Sequence, residues 1–254
     1  WNRWDCARWF SRPCTRLPPA HPQPAERRAA DIQAAFASPE VDAVFDLTGG
    51  DGANVVLPHL DLRKIAHTPK PFFGYSDVSA LLNPLQDFGH VPVFYCQPRF
   101  LASCPAAAER FTRWIQRQDD DLFRFRCTFL QGSQLSGKVC GGNIRCTLKL
   151  AGTPWQPDPT GRVLFLESYS GSLARMETML HQYRQMGMFS RCSGVLLGNF
   201  SELAKKQQLP ELYRIVQDII ADPALPLAVT TELGHQPDAR CLAYAEICLE
   251  KTQL

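Results

Sequence analysis

Ten cysteines are present in the 254-residue chain, yet no two are spaced C-x-x-C. Structural zinc sites are built on close cysteine pairs, so the spacing argues against one and no metal is expected. No apolar run approaches the roughly 18–20 residues that span a bilayer, so no membrane segment is expected. Neither charge dominates: 27 Lys and Arg stand against 25 Asp and Glu. A nucleic-acid partner is therefore not indicated by charge. The N-terminus has arginines but no apolar stretch followed by a small-residue cleavage site, so no secretory signal is read. The thiols are accordingly expected to be reduced, in the cytoplasm. Nucleotide fingerprints are missing as well; neither G-x-G-x-x-G nor G-x-x-x-x-G-K-[ST] occurs, and no cofactor is expected.

What is present is an ordinary globular composition, 45% hydrophobic and 20% charged. At about 100–200 residues per domain, the length fits one large or two modest domains. Residues 1–25 stand apart as an irregular arm. They hold Trp1, Trp4 and Trp9, four arginines and five prolines, with no helical or strand period. From there helices and short apolar strands alternate, the pattern of an α/β layer with a parallel sheet. Helices are expected over 26–37, 105–120, 172–186 and 211–221. Strands are expected over 42–47, 71–75, 91–96, 163–167, 194–198, 227–230 and 241–249. Pro84 is expected to end the helix that follows Ser76-Asp77. The expected division is an N-terminal domain over 26–105, a linker region over 106–135 and a C-terminal domain over 136–254.

Four places could carry chemistry. Gly74-Tyr75-Ser76-Asp77 puts a serine where a strand meets a helix start, which can present Oγ on a sharp turn; alternatively, Ser76 simply caps the helix. Gly49-Gly50-Asp51-Gly52 follows a strand, and glycines there free backbone N–H groups for a ligand or merely make the turn. Glu167 ends the apolar run 163–166, where open sheets tend to place functional groups. His235 follows Gly234 after another apolar run and is the side chain suited to proton transfer near neutral pH. The order Ser76, Glu167, His235 is that of α/β-hydrolase triads, although triads are recognised by geometry.

The segments PKPFFGYSDVSALLN, GGNIRCTLKLAGTPWQPDPTGRVLFLESYSG and ELGH resemble the LD-carboxypeptidase family of serine peptidases. That family includes muramoyl-tetrapeptide carboxypeptidases and immunity enzymes that cleave microcin C-type peptide–nucleotides. The resemblance covers about residues 25–250. It implies an N-terminal doubly wound parallel-sheet domain, here without its usual first strand, and a C-terminal mixed α/β domain. The active site would lie in the cleft between them. It implies Ser76 as nucleophile, Glu167 as triad acid and His235 as general base, with the amides of Gly50 and Asp77 as oxyanion hole. Gly49, Tyr75, Asn143 and Trp155 would contact substrate. The substrate implied is a small muropeptide that loses a terminal D-amino acid during cell-wall recycling, the enzyme a cytoplasmic homodimer without metal. The alternatives are an immunity-type hydrolase of peptidyl or aminoacyl nucleotides, or a truncated homologue with impaired catalysis. A cysteine-dependent amidotransferase is disfavoured because serine occupies the elbow.

The chain also departs from the family pattern. Thr48 stands where many relatives have Arg before the Gly-Gly pair. Glu167 is followed by Ser168-Tyr169-Ser170-Gly171 where many have a second acid. Cys96-Gln97-Pro98 replaces His-Gly-Pro. These changes bear on substrate choice.

Overall fold

The computed structural model describes residues 24–47 and 49–251, so most of the expected arm, and Thr48, lie outside the described residues. Its strands are β1 (Val44–Phe45), β2 (Phe72–Gly74), β3 (Val93–Tyr95), β4 (Thr128–Gln131) and β5 (Gln134–Asn143), then β6 (Val163–Ser168), β7 (Gly194–Phe200), β8 (Leu227–Val229), β9 (Leu242–Ala243) and β10 (Glu246–Glu250). They form two sheets, ordered β1-β2-β3-β9 and β10-β5-β6-β7-β8-β4.

The first sheet is parallel from β1 to β3, and β9 closes it antiparallel. Alternate residues of a strand point to opposite faces. On one face Phe45, Phe73 and Phe94 stack across three strands, with ring centroids 4.6 Å apart at each step. Phe111 and Trp114, from the helix Pro105–Ile115, cover them edge-on. On the other face Phe72 meets Phe36 of the helix Ala25–Ala37. Helices on both faces make this sheet doubly wound, as expected. Burying each such ring removes enough apolar surface to contribute about 1.5–3 kcal/mol.

In the second sheet β5 to β8 run parallel, with β10 and β4 antiparallel at the edges. Every residue of β6 is buried, which is why it reads as a continuous apolar run. Its period of two still decides where its side chains go. Leu164 and Leu166 join the core beneath the helices Leu173–Gln185 and Leu209–Ile220. Val163 and Phe165 join the core shared with the first sheet. Continuing that alternation puts Glu167 on the face toward the N-terminal half.

Three expectations need correcting. Pro84 does not end its helix, which runs Ser79–Asp87; Ser79–Gln86 are all buried, so packing on every side offsets the lost backbone bond. The expected strand 241–249 is two strands serving different sheets, β9 beside β3 and β10 beside β5. The stretch 106–135 carries most of the helix Pro105–Ile115 and the strand β4. Its helix covers the phenylalanine stack, and β4 pairs with β8. Finally, not all thiols are reduced: Cys96 and Cys241 form a disulfide, with Cα atoms 4.6 Å apart. The register explains the pairing. Tyr95 lies opposite Leu242 in an antiparallel pair, so the next residues outward, 96 and 241, face each other.

Candidate active site

The chain leaves β2 at Gly74, passes extended Tyr75 and turns sharply at Ser76, whose φ is +58°. A non-glycine residue held in this left-handed region costs about 1–3 kcal/mol and persists only where surroundings enforce it. A short 3-10 turn, Ser76–Val78, then feeds the helix at Ser79. Gly74 is required here, because a Cβ would lie 2.5 Å from Val78 Cγ1. Ser76 is not the helix cap: Tyr75 occupies that position and no side chain caps the turn. The neighbouring Ser79 hydroxyl donates instead to the Ser76 carbonyl, at 2.7 Å.

The glycine loop lies directly against this elbow. Gly49 has φ +58°, and a Cβ there would sit 3.4 Å from Ser76 Cβ. Asp77 holds the loop in place. It is fully buried, and its Oδ2 accepts the Ala53 N–H at 2.7 Å. Its Oδ1 pairs with Lys149 Nζ, which also donates to the Asp51 carbonyl at 2.9 Å. Arg145 pairs with the Asp51 carboxylate at 2.6 Å; its hydrogen bond and charge hold that carboxyl below its ordinary range. Among the described residues, the Gly50 and Asp77 amides donate to no acceptor.

Glu167 and His235 form the second half of the site. His235 Nδ1 lies 2.6 Å from Glu167 Oε2; Glu167 is fully buried and His235 is 9% exposed. The parallel register sets Asn143 of β5 beside Glu167 of β6. Asn143 Nδ2 then donates to Glu167 Oε1 at 2.8 Å, and Tyr95 Oη donates to the same oxygen at 2.6 Å. The histidine loop is tied down at several points. Gln97 Nε2 donates to the Gly234 carbonyl, Asn199 N–H to the Leu233 carbonyl at 2.6 Å, and Thr230 N–H to the Leu197 carbonyl at 2.9 Å. The Tyr75 ring stands edge-on to the imidazole, centroids 5.5 Å apart, and the exposed Tyr169 lies 5.1 Å away.

The fold thus links Ser76, Tyr75, Gly49, Asp77, Glu167, His235 and Asn143 through a chain of contacts, with Gly50 next to Gly49 in the loop. Among the described residues no hydrogen bond joins Ser76 Oγ to His235; catalytic contacts in a ligand-free site often tighten only around substrate. Asn143 makes three hydrogen bonds within the fold. Its amide is engaged by Glu167, its carbonyl oxygen by the Cys146 N–H, and its backbone N–H donates to Ser79 Oγ. Trp155 is elsewhere, in an open hollow bordered by residues 58–63, Asp87, Phe88 and His90. Among the described residues no three His, Cys, Asp or Glu are grouped to hold a metal ion. No described helix is long and apolar enough to cross a membrane.

Tyr95 and Lys149 are the contributors that sequence reasoning missed. Tyr95 lies in an apolar strand and reads as core. The one available signal was its hydroxyl, since a buried Tyr O–H needs a partner. Lys149 gave no signal, because its partner is 72 residues away.

Comparison with known proteins adds a family. The LD-carboxypeptidase N-terminal domain matches residues 15–96, and the LD-carboxypeptidase C-terminal domain matches residues 136–248. Among curated proteins, the murein tetrapeptide carboxypeptidase of Pseudomonas aeruginosa is 28% identical over 236 residues, covering 87% of this chain and 76% of that protein. The microcin C7 self-immunity protein MccF of Escherichia coli is 22% identical over 246 residues, covering 83% and 71%. Among solved structures, the muramoyltetrapeptide carboxypeptidase of Oxalobacter formigenes superposes with a TM-score of 0.72 at 23% identity, covering 90% of this chain and 80% of that one.

Proposed function

The chain belongs to the LD-carboxypeptidase family, a family of peptidases, and from that premise we propose a serine peptidase that removes a terminal D-amino acid from a muropeptide. The observation that carries this reading is the buried Glu167–His235 pair, joined to a strained serine elbow through Tyr95 and the Tyr75 ring. In this reading Ser76 is the nucleophile. Glu167 accepts the Nδ1–H of His235, which fixes the tautomer and leaves Nε2 free to take the Ser76 proton. As Oγ attacks the amide carbonyl, the oxygen becomes an oxyanion and the Gly50 and Asp77 amides receive it. Losing one such donor costs roughly 2.7–4 kcal/mol of barrier. His235 then protonates the leaving amine. Water, deprotonated by His235, attacks the acyl-enzyme and releases the shortened peptide with Ser76 restored. Gly49 and Tyr75, which border Ser76 and His235, contact the substrate; Asn143 acts on it only through Glu167. The same reading places the protein in the cytoplasm as a homodimer, where muropeptides are recycled.

The test is D-alanine release from a murein tetrapeptide by wild type and Ser76→Ala, with circular dichroism confirming that both fold. Wild type is expected to release D-alanine and the variant to lose the activity. A folded wild type that releases none sinks the peptidase assignment.

A second reading has its own support. Tyr169 is 55% exposed beside His235, an aromatic platform on which a nucleobase could stack. It corresponds to an immunity-type hydrolase acting on an aminoacyl nucleotide through the same triad. Release of the amino acid from an aminoacyl sulfamoyl adenosine, with none from the tetrapeptide, would decide for it.

A further inference from the structure

One hydroxyl touches both halves of the candidate triad. Tyr95 closes β3 and is 1% exposed, its ring packed edge-on against Phe165 with centroids 5.2 Å apart. The Ser76 N–H donates to Tyr95 Oη at 3.1 Å, and Tyr95 Oη lies 2.6 Å from Glu167 Oε1. Donor and acceptor roles follow without ambiguity. A backbone N–H can only donate, so the phenol oxygen accepts from Ser76 and its single proton goes to Glu167. Burial and the Glu167 charge both push the phenol well above its ordinary range, so that proton stays on the tyrosine.

Two consequences meet at this group. The Ser76 backbone is held in the left-handed region, and its N–H has Tyr95 Oη as acceptor. Glu167 Oε1 receives two donors, Tyr95 and Asn143, which leaves Oε2 to His235. Donors to a carboxylate stabilise its charge and lower the proton affinity of whatever shares it. We infer that Tyr95 is a positioning residue whose hydroxyl locks the Ser76 elbow to Glu167, setting both the serine's orientation and the proton affinity of the Glu167–His235 pair. This rests on the triad proposed above, and the groups facing the pair are Tyr95, Asn143, Tyr75 and Tyr169, with the buried Tyr244 phenol behind Glu167 and Tyr95.

The test is Tyr95→Phe, which keeps the ring and removes the hydroxyl. His235 is followed by NMR titration, a readout that needs no turnover. Its apparent pKa is expected to rise by about one unit, because the pair loses a donor to its carboxylate. On the tetrapeptide, kcat should fall roughly tenfold to a hundredfold with KM little changed, as expected for a group acting on the transition state. The acid limb of kcat/KM should move up with the His235 titration. Phe165→Leu serves as a packing control, expected to lower the melting temperature and leave the titration in place. Incorporation of 3,5-difluorotyrosine at position 95 makes a stronger donor and should move the titration the opposite way. That reversal also keeps the inference testable if Tyr95→Phe does not fold. A His235 titration unchanged in both Tyr95 variants overturns the inference, whatever the activity. A wild type that is inactive on both substrates, while the titration shifts as stated, removes the peptidase reading and leaves the hydrogen-bonded linkage standing.

Discussion

Asp77 is the residue whose substitution tests most of the site at once. Its carboxylate ties the glycine loop to the serine elbow through the Ala53 N–H and Lys149. Asp77→Asn keeps an oxygen for Ala53 but abolishes the charge, leaving the Lys149 ammonium, only 18% exposed, with the more distant Asp51 carboxylate at 3.8 Å as its remaining counter-charge. Breaking a fully buried pair costs about 3–5 kcal/mol. Lys149 keeps some access to water, so about 2 kcal/mol is expected here. Asp77→Ala also orphans the buried Ala53 N–H, adding about 1–3 kcal/mol. For a chain of this size each kcal/mol moves Tm by roughly 2–4 °C. The expected losses are thus about 4–8 °C for Asn and about 6–20 °C for Ala. Activity should fall roughly tenfold for Asn and roughly a hundredfold for Ala, approaching the loss of one oxyanion donor. The assay pairs a thermal melt with D-alanine release from the tetrapeptide. Asp77→Asn with Lys149→Met leaves no unpaired charge, so it should recover most of the lost Tm but not the lost kcat. A single Asp77→Asn variant melting within about a degree of wild type would show that the ion pair contributes nothing. An Asp77→Ala variant with wild-type kcat would refute the role given to the loop.

Two further predictions concern other parts of the molecule. Burial pushes the thiols of Cys140 and Cys146 up to about 12 and that of Cys192 to about 11, while Cys248 is exposed. At pH 8 a thiol titrating near 12 is about 10⁻⁴ thiolate, so iodoacetamide followed by peptide mass mapping should find Cys248 modified well before Cys140 or Cys146. Arg240, by its hydrogen bond and charge and with help from Arg113, holds the Asp121 carboxyl below its ordinary value. A depressed folded-state pKa gives stability that is present above the unfolded value, about 3.9, and lost as pH falls through the folded one. Asp121→Asn should therefore lower Tm at pH 7 and lose its effect as pH falls below the unfolded carboxylate value; a Tm difference that persists undiminished in strong acid would contradict the pairing.

What could be read from the sequence was whatever local chemistry decides. The helix over 26–37, the buried strand at 163–167 and the turn at Ser76 each follow from spacing or turn residues within a short window. The elbow was legible for the same reason: Gly74 lets Val78 approach, and that contact spans four residues. What could not be read depends on register between distant strands. Cys96 and Cys241 meet only because β9 pairs antiparallel with β3, and nothing near either cysteine signals that pairing. Tyr95 looked like core because by area it is core. Its hydroxyl meets Glu167 only once β3 and β6 are brought together, 72 residues apart in sequence. Asn143 follows the same logic: its place in a family motif was legible, but only strand register shows its amide bonded to Glu167. A carboxylate with neither oxygen engaged could present either one to its histidine. Here Tyr95 and Asn143 occupy Oε1, and the choice for Oε2 is made by the fold before any substrate arrives. The residues that perform the chemistry are therefore visible as motifs, whereas those that hold them ready are visible only as contacts, because preorganisation is a property of the tertiary hydrogen bonds.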